Sequence, residues 1–155
     1  MYESTDIIAG SYDVVRGIDF DAWLSERARF RPIQGPDFLG VELTHLEAIL
    51  AGRNVKEIPF SVEIIPSQTD QPPTSIDDAP FAFAAPVRRE LRDLLATLPS
   101  EKVPDVGRAW AAIEEFAPLP EADVSKWFLP FFEELVKLAR TAREDDLDLF
   151  VVSWG

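Results

Sequence analysis

The chain has 155 residues, 46% hydrophobic and 28% charged, enough apolar material for one domain with a real core. Its net charge of −13 is spread over both halves, which argues against the basic face that nucleic-acid binding by counterion release requires. With no cysteine there are no disulfides and no thiolate chemistry, and one histidine is too few for a tight zinc site.

The opening residues, MYESTD, are acidic and no apolar stretch follows them, so no secretory signal is read and a cytoplasmic setting is expected. Runs such as FAFAAPV fall far short of a membrane span. Residues 5–16, TDIIAGSYDVVR, hold the pairs Ile7-Ile8 and Val14-Val15 around a Gly-Ser and read as a strand or two. Asp19 or Asp21 caps a helix through Phe20, Trp23, Leu24 and Ala28 that ends near Arg31-Pro32. Gly35-Pro36 and Gly40 then punctuate a turn-rich segment. Thr44 with Glu47 three residues on has the capping-box spacing, predicting a helix through Leu46, Ile49 and Leu50 with Gly52 just past its end.

Residues 58–66, IPFSVEIIP, carry β-branched residues between prolines and predict a strand, paired with the final one. The polar, proline-rich stretch 67–80 reads as a loop, long for a domain of this size and so mobile or functional. Phe81 to Phe83 suit a short edge strand. Pro86 opens a helix with Val87, Leu91, Leu94, Leu95 and Leu98 on one face, stopped by Pro99.

The organising stretch runs from Pro104 to Arg143 and reads as two amphipathic helices. Pro104 suits a first helical position. Val106, Ala109, Trp110, Ile113, Phe116 and Ala117 form one stripe, and Pro118 and Pro120 end it. The second helix, capped by Asp123 or Ser125, carries Val124, Trp127, Phe128, Phe131, Leu135, Leu138 and Ala142, with Phe132 at the edge. A short connection favours antiparallel packing of the pair. Pro130 falls inside the second stripe; either one long helix kinks there, the favoured reading, or a new helix starts. Glu144-Asp145-Asp146 makes an acidic turn, and LDLFVVSW is the strongest strand in the chain. About five helices with three or four strands, not regularly alternating, predict an α+β fold: one domain over 1–155, helices on one face of a small, mainly antiparallel sheet, and the 104–143 hairpin as core.

The catalytic signatures are thin. No GxSxG elbow, GxxxxGK[ST] loop or GxGxxG fingerprint is present. His45 has no second ligand nearby in sequence and is a weak catalytic candidate. Glu114, four residues after Trp110 and beside Ile113, sits at the edge of the stripe, where it would pair with an arginine or face a pocket. The run at 144–148 lacks the glycine and final glutamate of a calcium loop. Glu133, Glu134, Glu144, Asp145 and Asp146 are the candidates for contact with a basic partner.

Gly40-Val41-Glu42, Leu46 through Leu50, Arg108 through Phe116 (the RAWAxIEEF-like helix) and Leu135 through Arg143 together form a pattern. In it the chain resembles a family of uncharacterised bacterial proteins common in actinobacteria. The resemblance implies one domain and a bacterial origin, and carries no activity. The expectation is a non-enzymatic, soluble acidic protein that works through protein–protein contact, of immunity or accessory type. The alternative is a small carboxylate-dependent enzyme or metal-dependent hydrolase built near Glu114. No cofactor or metal is expected, and no nucleic-acid or membrane partner.

Overall fold

The computed structural model describes residues 4–38, 40–59, 63–65, 82–117 and 119–154. Four strands, β1 (Ser4–Gly10), β2 (Ile33–Gly35), β3 (Ala82–Pro86) and β4 (Asp148–Trp154), form one sheet in the order β2-β1-β4-β3. Every neighbouring pair is antiparallel. Helices α1 (Tyr12–Arg16), α2 (Trp23–Glu26), α3 (Gly40–Ala51), α4 (Arg89–Ala96), α5 (Val103–Ala111), α6 (Glu121–Asp123) and α7 (Leu129–Glu144) complete an α+β fold.

β4 occupies the middle of the sheet, and its side chains from Asp148 to Ser153 are all buried. That explains why its sequence is a continuous apolar run, Leu149 to Val152, rather than an alternating one. Leu149 and Val151, with Ile7 of β1, face a layer built from α3, α4, α5 and α7. Phe150 and Val152, with Ile8, Ala82 and Ala84, face the opposite way, onto Val15, Ile18, Phe20 and Trp23. The sheet is therefore covered on both faces, not on one. The second cover is the segment 11–30, whose Val14-Val15 pair lies in a helix rather than a strand. Ser11 caps that helix, its hydroxyl accepting the Val14 amide at 3.3 Å.

A buried carboxylate fastens this second layer. Asp6, fully buried on β1, accepts from Trp23 Nε1 at 2.9 Å and from the Nε and Nη2 of Arg27 at 2.9 and 2.7 Å. Arg27 in turn lies over the Trp154 ring, 5.2 Å from its centroid. The hydrogen bonds to Asp6, ahead of the opposing cost of burial, hold the Arg27 guanidinium above its usual range.

In the first layer the helical pair is the core, with most of the sequence stripe buried and Ala109, Ala117 and Trp127 exposed. α5 buries Val103, Gly107, Trp110 and Ala111, leaves Ala109 exposed, and stops at Ala111. Gly107 lies so close to α7 that an added Cβ would stand 2.7 Å from Leu129 Cδ2 and 3.1 Å from Phe132 Cδ1. The chain from Glu121 to Glu144 is helical throughout, and one wide π turn (Val124–Phe128) sits just before Pro130. Proline lacks the N–H and collides with the carbonyl four residues back, and the wider turn relieves both. The helix thus continues through Pro130. The extra residue also rotates what precedes it, so Phe128 is buried whereas Trp127 is 36% exposed.

Trp110 is fully buried, and its ring lies 5.3–6.2 Å from those of Phe38, Phe116, Phe128, Phe131 and Phe132. Its Nε1 donates to the Glu42 carbonyl of α3 at 2.8 Å, so the one polar atom of the cluster's centre is satisfied. Of the strand expected over 58–66, Ile65 makes a single bridge to Ala84 of β3, not to β4; residues 60–62 and 66 lie outside the described residues. So do Phe81 and the 67–80 loop. The expected edge strand is β3, over residues 82–86.

Removing the centre of the aromatic cluster should be costly. Trp110→Ala is expected to lower the unfolding free energy by about 3–5 kcal/mol. Glu114→Ala, at an exposed position, should stay within about 0.5 kcal/mol. Urea denaturation followed by far-UV circular dichroism measures both, and equal midpoints for the two variants would refute this account of the core.

Candidate functional site

His45 and Glu114, the weak catalytic candidates, line none of the three clefts formed around Glu47, around Arg89 and around Arg140. His45 sits in the first half of α3, partly exposed, its Nε2 3.0 Å from Glu115 Oε1. The contact joins α3 to the turn after α5. Thr44 is inside the same helix and its hydroxyl donates to the Gly40 carbonyl at 2.7 Å, so it does not cap. Glu114 is exposed in the turn that follows α5, because that helix ends at Ala111, six residues before the end of its apolar stripe at Ala117. Among the described residues no group of three or more His, Asp or Glu side chains is arranged to hold a metal ion.

The partner-contact candidates fall in two places. Glu133 and Glu134 lie on the exposed side of α7, with Glu134 paired to Lys137 at 3.3 Å. Farther along the helix Arg140 is spent on structure, donating to the Ala96 and Leu98 carbonyls at the end of α4. Glu144 closes α7, and Asp145 and Asp146 form the turn into β4, with Asp146 at a positive φ of 54°. Glu144 and Asp145 are exposed and make no ion pair with a described residue. Lys137 and Arg140 therefore interrupt the acidity of the helix, and the turn is the more concentrated site.

That turn is tied to a cleft. Arg89, the first residue of α4, donates from Nε and Nη2 to the two Asp148 oxygens at 2.8 and 3.3 Å and from Nη1 to Asp146 at 3.0 Å. The hydrogen bonds to Asp148, then to Asp146, raise the Arg89 guanidinium further above its ordinary range. Arg89 and Asp148 line a cleft of about 500 Å³ together with Tyr12, Glu63, Pro86, Val87 and Arg88. Arg88 is anchored from behind: its Nε donates to Glu47 Oε1 at 3.0 Å, and Glu47 is buried. Burial, then the charges of Glu63 and Asp148, push the Tyr12 phenol above its usual range, against the pull of Arg16 and Arg89. Tyr12 is thus a neutral hydroxyl at physiological pH.

None of the cleft residues was singled out as a site from the sequence. Arg88 and Glu47 are 41 positions apart, and Arg89 and Asp148 are 59, so no local spacing announces either pair. The one available hint was Arg88-Arg89 directly after a proline-ended strand. No protein-family model, no curated protein and no solved structure matches the chain.

The Tyr12 environment gives a pH dependence of known sign. A phenol held neutral by the fold adds stability that is complete below its unfolded value of 10.0 and is lost as pH rises through its folded value. The wild type should therefore lose more stability than Tyr12→Phe between about pH 9 and 11. Chemical denaturation of both proteins across that range tests it; parallel curves would show that Tyr12 titrates as it does in the unfolded chain.

Proposed function

We propose that this protein is a non-catalytic binding protein that presents its acidic turn, Glu144 to Asp146, to a basic protein partner. The observation that carries the reading is the state of those three carboxylates. Glu144 and Asp145 stand in solvent with no cation beside them among the described residues. Asp146, its side chain 84% exposed, is held in place by Arg89. A fixed backbone with uncompensated charge speeds encounter with a basic surface, because little ordering remains to be done when the partner arrives.

The wider charge pattern supports the same reading. Arg16, Arg27, Arg29, Arg53, Arg88, Arg89, Arg92, Arg108 and Arg143 each pair with a carboxylate. The surplus of acid, with a net charge of −13, is left to face outward. Glu133 and Glu134 extend the contact along α7 as rim positions, where charge acts mainly on the rate of encounter.

Partner capture on the immobilised protein should retain basic proteins that the Glu144→Lys/Asp145→Lys variant does not. For a retained partner, association should slow at least severalfold in the variant, and in the wild type as ionic strength rises from about 0.1 M to 1 M and the Debye length falls from about 10 to 3 Å. Dissociation should change less. An association rate indifferent to both salt and charge reversal would rule the acidic turn out.

A further inference from the structure

The cleft between α1, α4 and the start of β4 is separate in chemistry from the acidic turn, because it offers both signs of charge. Arg88 is held by Glu47 through Nε alone, and Nη2 lies 3.5 Å from Glu90. Its Nη1 makes no hydrogen bond to a described residue, which leaves the end of the guanidinium with donors to spare. The Tyr12 hydroxyl likewise has no hydrogen-bond partner among the described residues, and the phenol is kept protonated as a donor. On the other side, among the described residues Glu63 is held only by a 3.9 Å contact to Arg16, which itself lies over the Tyr12 ring. Asp148 is spent on Arg89 at 2.8 Å.

We propose that this cleft binds a small zwitterion, a carboxylate and a protonated amine on one short carbon frame, as in a free amino acid. The carboxylate would take the spare Arg88 donors and the Tyr12 hydroxyl, and the amine would take Glu63. A simple anion fits less well: Glu63 and Asp148 face the same space and would repel it. A simple cation meets Arg88 and Arg89. A molecule with both charges satisfies each spare group and leaves the Arg89–Asp148 pair undisturbed. The volume of about 500 Å³ is ample for one amino acid and lies within the roughly 300–1,000 Å³ of small-ligand sites. Glu47, buried behind Arg88, acts as a positioning residue: it fixes the direction in which the guanidinium points.

Amide NMR spectra of the full chain, titrated to about 10 mM with each common amino acid in turn, test the proposal, with acetate and methylammonium as single-charge probes. At least one amino acid should displace the Tyr12, Val87 and Arg88 signals saturably, and should bind about tenfold or more tightly than either probe, the worth of one charge-assisted hydrogen bond. Glu63→Gln should cost about tenfold for that amino acid and leave acetate no weaker, since only the amine loses its partner. Arg88→Lys keeps a cation for Glu47 but loses the fork, and should weaken both the amino acid and acetate. Glu63 is exposed, so its variant decides the matter even if the Arg88 variant unfolds. Failure of every amino acid to saturate, acetate binding as tightly as the best of them, or an amino acid indifferent to Glu63→Gln would each overturn the proposal.

Discussion

Strand β4 meets water on neither face, and most of the architecture follows from that constraint. A single helical layer would leave Phe150 and Val152 exposed, at a cost of about 1.5–3 kcal/mol for each large apolar side chain. The chain therefore spends residues 11–30 on a second cover, made of short helical turns too small to persist alone and dependent on what they pack against. Phe20 and Trp23 supply the apolar contact. The Asp6–Arg27 pair supplies direction, since a bidentate fork tolerates little rotation. Such a pair is weak evidence for added stability, because desolvating both charges offsets much of their attraction. Its clearest effect is on geometry, joining β1 to the far end of the cover.

Much of the fold was legible wherever a local rule had no competitor. Leu149 to Val152 is apolar without interruption, and it forms the middle of an inner strand. Leu91, Leu95 and Leu98 keep helical spacing and all are buried. Gly52 stands past the end of α3 with φ of 65°, the left-handed conformation glycine adopts without strain. The stripe of the helical pair was legible for the most part: Trp110, Val124, Phe128, Phe131, Leu135 and Ala142 are buried, while Ala109, Ala117 and Trp127 are exposed, the last at a turn one residue wider than 3.6-residue spacing anticipates. Proline in the apolar run marked the place of the irregularity without giving its form, and Trp127 went to the wrong side as a result. Val14-Val15 misled for another reason. β-branched pairs favour strands only weakly, and the Ser11 cap with burial of Val15 outweighed that preference.

The site was less legible than the fold because its pairs are non-local. The acidic turn could be read directly, since its three carboxylates are consecutive. The cleft could not, since it is assembled from β3, α4, the start of β4 and the helix that follows β1. Arg89 is the hinge between the two: one guanidinium serves Asp148 inside and Asp146 outside. A partner that engages Asp146 would thus compete with a residue that also shapes the cleft.

The register of the sheet carries a kinetic consequence. β4 pairs with β1 from Ser4↔Trp154 to Gly10↔Asp148, partners roughly 140–150 positions apart. Hardly any loop in a chain of this size is longer, and its closure entropy must be met before the pairing yields anything in return. The two strands that form the middle of the sheet are thus the last able to meet as the polypeptide leaves the ribosome. Until they do, β1 and the α4–α7 layer both lack the strand against which they pack. During synthesis the growing chain should stay open and in need of protection, with cooperative folding delayed until β4 is free to insert.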